Sequence, residues 1–289
     1  MKRISSFLII FLIISCGRRN ESGSKIISVS IAPFKYFVEE IAGSNFTVNV
    51  MVPPGANPHI YEPFPDQVSK LRQSVAYISN GYLGFEITWL NRFYEMNRNM
   101  KKLSLGDNID PIKPEHHHED ELFESADPHY WVSPLCALKM ASSVREFLTE
   151  LDPQNSKQYD ENYKILAKKI LEVDSMAREL SSPQGKQVFM IYHPNLGYLA
   201  RDYGLEEIAV ENEGKEPSPS RLIELIDRAK SDHLKVILVQ REYDSKNARA
   251  VAEETGSRVV VIDPLSEDWY YSTAGIIRIL KESFKQNHN

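Results

Sequence analysis

The 289-residue chain is 42% apolar and 26% charged, a globular composition with length for one large or two ordinary domains. With 34 Lys and Arg against 40 Asp and Glu, its net charge of −6 argues against nucleic acid as a partner. Two cysteines, Cys16 and Cys136, exclude a disulfide framework.

In chain order, residues 1–15 read as a lipoprotein signal peptide. Lys2 and Arg3 form its basic start, and the apolar run at 7–14 falls well short of the roughly 20 residues that span a bilayer. Ile13-Ile14-Ser15-Cys16 looks like a lipobox, with a small residue before the cysteine to be acylated. Cleavage there would leave Cys16 as a lipid anchor and residues 16–24 as a polar tether. The body would be exported and held at a membrane, facing the periplasm or the exterior, and its charge becomes −8 once Lys2 and Arg3 leave. With Cys16 acylated, Cys136 is alone; it sits on a helical pattern with Leu135, Met140, Val144 and Leu148 as a small core residue.

From residue 25 the pattern alternates. Strands are predicted at 26–31, 46–52 and 75–79, with helices at 34–41, 66–72 and 85–98. Gly81 and Gly84 follow a strand, but the full G-x-G-x-x-G pattern is missing, so no dinucleotide site is expected. Residues 106–127 carry eight carboxylates, one lysine and the run His116-His117-His118 with no apolar period. They read either as a solvated surface loop or as a weak metal-gathering antenna. A helix at 134–151 precedes the longest helical pattern, 153–180, which has no internal Gly or Pro. Stopped by Ser181-Ser182-Pro183, it marks residues 153–182 as a stiff linker. It divides a first lobe (25–152) from a second (183–289). The second lobe repeats the alternation, with strands at 188–192, 207–210, 236–239 and 258–262 and helices at 196–203, 220–230, 244–255 and 273–284. The fold class is therefore α/β: two lobes, each a mostly parallel sheet flanked by helices.

Four strand ends carry ligand-type residues. The strand at 46–52 runs into Pro53-Pro54-Gly55 and then His59; Asp127-Pro128-His129 precedes a helix start; His193-Pro194 follows the strand at 188–192; and Asp263-Pro264 follows the last strand. Ligands of open α/β sheets collect beyond the carboxyl ends of the strands. His59, His129, His193 and Asp263, spaced 70, 64 and 70 residues apart, would converge there on one cation. Tyr61, Glu62 and Asp127 are near enough in sequence to orient the ligating rings.

The motifs Val-Pro-Pro-Gly-Ala-Asn-Pro-His59-Ile-Tyr-Glu-Pro, Asn80-Gly-Tyr-Leu-Gly-Phe-Glu, Asp127-Pro-His129-Tyr-Trp-Val-Ser-Pro, His193-Pro-Asn-Leu-Gly-Tyr, Glu213-Gly-Lys-Glu-Pro-Ser-Pro-Ser and Val261-Ile-Asp263-Pro-Leu run through nearly the whole mature chain. On them the protein resembles the cluster A-I solute-binding lipoproteins of bacterial zinc and manganese ABC importers. The resemblance implies two α/β lobes joined by one rigid helix, a metal held between them by His59, His129, His193 and Asp263, and an ABC transporter permease as partner of a monomeric carrier. The chain departs from the family in two respects: its His run is only three residues long, and it cannot form the second-lobe disulfide that some members have.

Three imidazoles and a carboxylate suit tetrahedral Zn²⁺. The manganese-type members usually have Glu where His193 stands, and N-donor sites hold Mn²⁺ weakly, so zinc is expected over Mn²⁺ or Fe²⁺. Affinity should weaken as pH falls through about 6.5, the ordinary imidazole value. A zinc-dependent hydrolase is the rival reading; it needs an open coordination position, which Asp263 would close, and H-E-x-x-H does not occur. No enzyme is therefore expected. A surface adhesin would rest on the lipid anchor alone.

Overall fold

The computed structural model describes residues 25–113, 126–182, 185–211 and 214–287. The signal peptide, the tether with Cys16, and His116, His117 and His118 lie outside the described residues.

The first lobe is built from β1 (Lys25–Ile31), α1 (Ala32–Ala42), β2 (Phe46–Val52), α2 (Pro65–Arg72), β3 (Ser74–Ser79), α3 (Gly84–Met96), β4 (Lys101–Ser104) and α4 (Pro134–Leu151). The second comprises β5 (Gln187–Ile191), α6 (Gly197–Tyr203), β6 (Leu205–Ala209), α7 (Pro219–Ser231), β7 (Val236–Gln240), α8 (Lys246–Thr255), β8 (Arg258–Ile262) and α9 (Trp269–Asn287). Between them runs α5 (Ser156–Arg178). Each lobe carries a four-stranded parallel sheet, ordered β2-β1-β3-β4 and β6-β5-β7-β8. The two orders are the same topology used twice.

Helices cover both faces of a parallel sheet, so central strands are buried on both sides: β7 reads as the apolar run Val236-Ile237-Leu238-Val239, and in β1 Ile27, Val29 and Ile31 are buried together with Ser28 and Ser30. β4 was not expected from the sequence. Lys101-Lys102-Leu103-Ser104 has one apolar residue, and as an edge strand it tolerates exposed lysines.

The linker is shorter than its sequence pattern. Pro153–Asn155 forms a separate 3₁₀ turn before α5, whose 23 residues extend about 35 Å. Pro153 lacks the N–H that would continue the ladder from α4. Tyr159, Leu166, Ile170, Val173 and Ala177 of α5 are buried, and α5 packs on α1, α4 and α9. One apolar cluster accordingly runs from Phe37 in the first lobe through Leu166 to Trp269 and Leu280 in the second. Cys136 is buried in it. Among the described residues, no helix is long and apolar enough to cross a membrane.

Candidate metal centre

Each histidine is placed by local backbone chemistry, His59 and His193 in the loops that leave β2 and β5 and His129 just before the 3₁₀ turn Tyr130–Val132. After β2, Ala56 N–H donates to Pro53 O (3.2 Å) around Gly55 at φ 81°, a conformation glycine adopts without a Cβ penalty. Asn57 Oδ1 then accepts His59 N–H at 2.9 Å. Gln67 pins the far side of this loop: its amide donates to Val50 O and Met51 O, and its Oε1 accepts from Phe64 N–H and Tyr61 OH. Asp127 forms the same kind of turn before His129, accepting its backbone N–H at 2.7 Å. His193 lies two residues beyond the end of β5, where Gln240 at the end of β7 accepts its N–H and donates back to its carbonyl.

The three rings meet edge to edge. Nε2 of His59 lies 3.3 Å from Nε2 of His129 and 3.2 Å from that of His193, and the His129–His193 separation is 3.3 Å. Tetrahedral ligation at 2.0–2.1 Å requires donor atoms about 3.3–3.4 Å apart, so the triangle matches one face of a zinc coordination tetrahedron. The protonation pattern points the same way. His129 Nδ1 faces Asp127 Oδ1 at 2.8 Å, and His193 Nδ1 faces Glu211 Oε1 at 2.5 Å. Carboxylates accept, so both Nδ1 atoms carry hydrogen and the Nε2 atoms of the neutral rings present lone pairs. Lone pairs this close repel each other; a cation between them turns the repulsion into ligation.

Burial favours the neutral forms of His59 and His193. Burial, reinforced by the charges of His129 and His193, lowers His59 to about 3. Burial also lowers His193, against the opposing pull of Glu211. For Asp127, burial alone would raise the carboxyl, but His129, through its charge and its two hydrogen bonds, outweighs it and holds the carboxyl below its ordinary range. The Tyr243 ring stacks on His193 at 4.6 Å and 16°, and the Trp131 ring lies 5.4 Å from His129.

The structure thus gathers His59, His129 and His193, and Asp127 adjoins the His129 ring. Among the described residues these three histidines are the group whose ligand atoms all lie within 4.8 Å of one another; Asp263 is outside it. Asp263 sits at the end of β8 with Oδ2 accepting from Arg241 Nη1 at 3.2 Å, while its buried Oδ1 makes no hydrogen bond. Tyr61 turns its hydroxyl to Gln67 and Glu62 is exposed, so neither orients a ring. Glu211, Gln240 and Tyr243 were not anticipated. Glu211 follows the end of β6 and its N–H extends the sheet to Tyr192 O; the strand-end rule, applied to β6, would have found it.

A pair of like-built α/β lobes with a triangle of buried imidazoles at their junction defines a two-lobed binding protein for a metal cation. The profile of the family described as "Zinc-uptake complex component A periplasmic" matches residues 27–275, and the chain belongs to that family, which is one of transport components rather than enzymes. It is 26% identical over 286 residues to the zinc-binding lipoprotein AdcA of Streptococcus pneumoniae strain R6, covering 92% of this chain and 56% of AdcA; it spans about half of that relative. It is 26% identical over 296 residues to the high-affinity zinc uptake system protein ZnuA of Bacillus subtilis strain 168, covering 94% and 91%. The iron-binding protein YfeA of Yersinia pestis is 28% identical over 235 residues, 79% of this chain and 74% of YfeA. A ZnuA crystal structure superposes with TM-score 0.82 at 34% identity, covering 90% of this chain and 99% of that one.

Proposed function

We propose that this protein captures zinc outside the cytoplasm and delivers it to the membrane permease of an ABC importer. The observation that carries the reading is the Nε2 triangle with 3.2–3.3 Å edges. Two of its rings are fixed by carboxylates so that their lone pairs face a common centre. The names of the zinc-binding relatives support the choice of metal, as does a zinc-bound ZnuA deletion mutant with TM-score 0.81 at 34% identity. The iron-binding relative makes Fe²⁺ and Mn²⁺ the competing cargoes, and three nitrogen donors favour zinc over both.

Asp263 supplies the fourth donor in this reading. Its Oδ1 is buried without a hydrogen bond, and a carboxylate oxygen in that state gains most from a cation. Lipid attachment at Cys16 holds the carrier at the membrane as a monomer, and the His116–His118 run enriches cations locally. No step of chemistry on the cargo is required: the site binds, shields and releases.

Loading of the metal-free full chain with equimolar zinc and manganese, followed by elemental analysis, tests the proposal. The expected result is one zinc per chain, lost in His59→Ala and reduced in Asp263→Ala. Preferential manganese, or metal retained in His59→Ala, would overturn it.

A further inference from the structure

The two histidines of the first lobe lie 70 residues apart, yet one short turn reaches the backbone beside both. β3 ends at Ser79, and Asn80 begins the turn into α3. Asn80 is fully buried and its polar atoms are all engaged. Its side-chain amide donates to Pro128 O at 2.9 Å, and its Oδ1 accepts from Tyr82 N–H at 3.0 Å. Its carbonyl accepts from the Tyr130 hydroxyl at 2.7 Å and from Gly106 N–H at 3.0 Å. Pro128 and Tyr130 are the residues on either side of His129.

The other end of the same turn abuts His59. A Cβ on Gly84 would come within 2.7 Å of His59 O, and Phe85 N–H points to Pro58 O at 3.4 Å. Glu86 holds the turn from inside: its two carboxylate oxygens each accept one backbone N–H, from Asn80 and from Gly81, at 2.7 Å. The Ser30 hydroxyl of the central strand β1 donates to the same carboxylate. Glu86 is 3% exposed, touches no imidazole in these contacts, and has no part in the capture described above.

We propose that the turn from Asn80 to Glu86 is the positioning element that sets the His59–His129 separation, with the Asn80 amide as its link to His129. The first lobe then carries a preassembled pair of imidazoles, and the second lobe completes the site by adding His193. This inference rests on the reading of the three rings as a cation site. Asn80→Asp tests it with little change of volume, because a carboxylate oxygen facing Pro128 O replaces a donor with an acceptor. Removing a partner that orients a metal ligand costs 10- to 100-fold in metal affinity.

The experiment compares the full chain, Asn80→Asp and His59→Ala by zinc dissociation rate into excess chelator and by the visible spectrum of the cobalt-loaded protein. Expected for Asn80→Asp is dissociation about 10- to 100-fold faster, with weakened four-coordinate cobalt bands. A wild-type rate and spectrum, even with a lowered melting temperature, would mean that Asn80 serves folding alone and would overturn the inference. Where Asn80→Asp does not fold, Glu86→Gln loosens the same turn by presenting an amide donor to a backbone N–H. The same readouts then decide: faster dissociation supports the turn as the positioning element and a wild-type rate overturns it. His59→Ala that still holds zinc at the wild-type rate would instead bring down the underlying cation-site reading.

Discussion

Trp131 and Trp269 clasp the two lobes to each other. Trp269 Nε1–H donates to Trp131 O at 2.7 Å, and Trp131 Nε1–H donates to Pro264 O at 2.9 Å. Both side chains are buried, and Trp269 also packs on Phe37 of α1 at 5.4 Å. The interface is part of the folded core, so loading and release of the cargo do not call for the lobes to part as rigid halves.

Trp269→Phe should therefore be felt across the whole molecule. The substitution leaves Trp131 O buried without its donor, which costs about 1–3 kcal/mol. Urea unfolding is expected to keep one cooperative transition with a lower midpoint. Two separated transitions in the wild-type chain would contradict the shared core.

Gly84→Ala separates site geometry from helix propensity. Gly84 opens α3, where alanine would ordinarily stabilise by up to about 1 kcal/mol. Here the new Cβ would meet His59 O at 2.7 Å, and because that atom is backbone, relieving the contact moves the His59 loop itself. The variant should bind zinc about tenfold more weakly or worse and gain no stability. A more stable variant with unchanged affinity would contradict this.

Glu211→Gln should weaken zinc binding by about 10- to 100-fold while the chain remains folded. Glu211 touches His193 Nδ1 at 2.5 Å, and a neutral amide accepts that proton less well and can turn its NH₂ toward the ring. Calorimetric titration reads the affinity, and circular dichroism the fold.

The response to acid follows from the buried rings. His59 is lowered to about 3 by burial first and by its neighbouring histidines second, and His193 is lowered by burial, whereas in the unfolded chain both titrate near 6.5. Between those values the unfolded chain binds protons that the folded one does not, so the stability of the metal-free protein rises with pH through this window. Its melting temperature should fall as pH is lowered from about 6.5 towards 3 and stay level, as far as these rings decide it, above 6.5. Proton competition for zinc at His59 and His193 likewise sets in below the 6.5 expected from free imidazole. Because buried Glu207, raised to about 8 by burial, acts with the opposite sign, the comparison is made against His59→Ala: a wild-type melting temperature that falls no more steeply on acidification than that variant's would contradict the assignment.

Much of this was legible in the sequence, and the rest was hidden for definite reasons. Apolar runs such as Val236-Ile237-Leu238-Val239 announce strands of a covered sheet, and a histidine or aspartate close after an apolar run marks a candidate ligand at the strand's carboxyl end. β4 escaped because an exposed edge strand can be half lysine. Glu211 escaped although a strand is expected at 207–210, because it opens the run Glu211-Asn-Glu-Gly-Lys-Glu, whose polarity reads as a solvated loop. Asp263 shows the limit of the strand-end rule. The rule brings a side chain to the rim of its own sheet, but its approach to the other ligands depends on packing that no local pattern records, and Arg241 holds one of the Asp263 oxygens.

The most direct test is zinc K-edge X-ray absorption on the full chain loaded with one equivalent of zinc. Three imidazole nitrogens at about 2.0–2.1 Å with one oxygen at about 2.0–2.2 Å are predicted, falling to two imidazoles in His193→Ala. A wild-type spectrum with one imidazole or none would contradict the account.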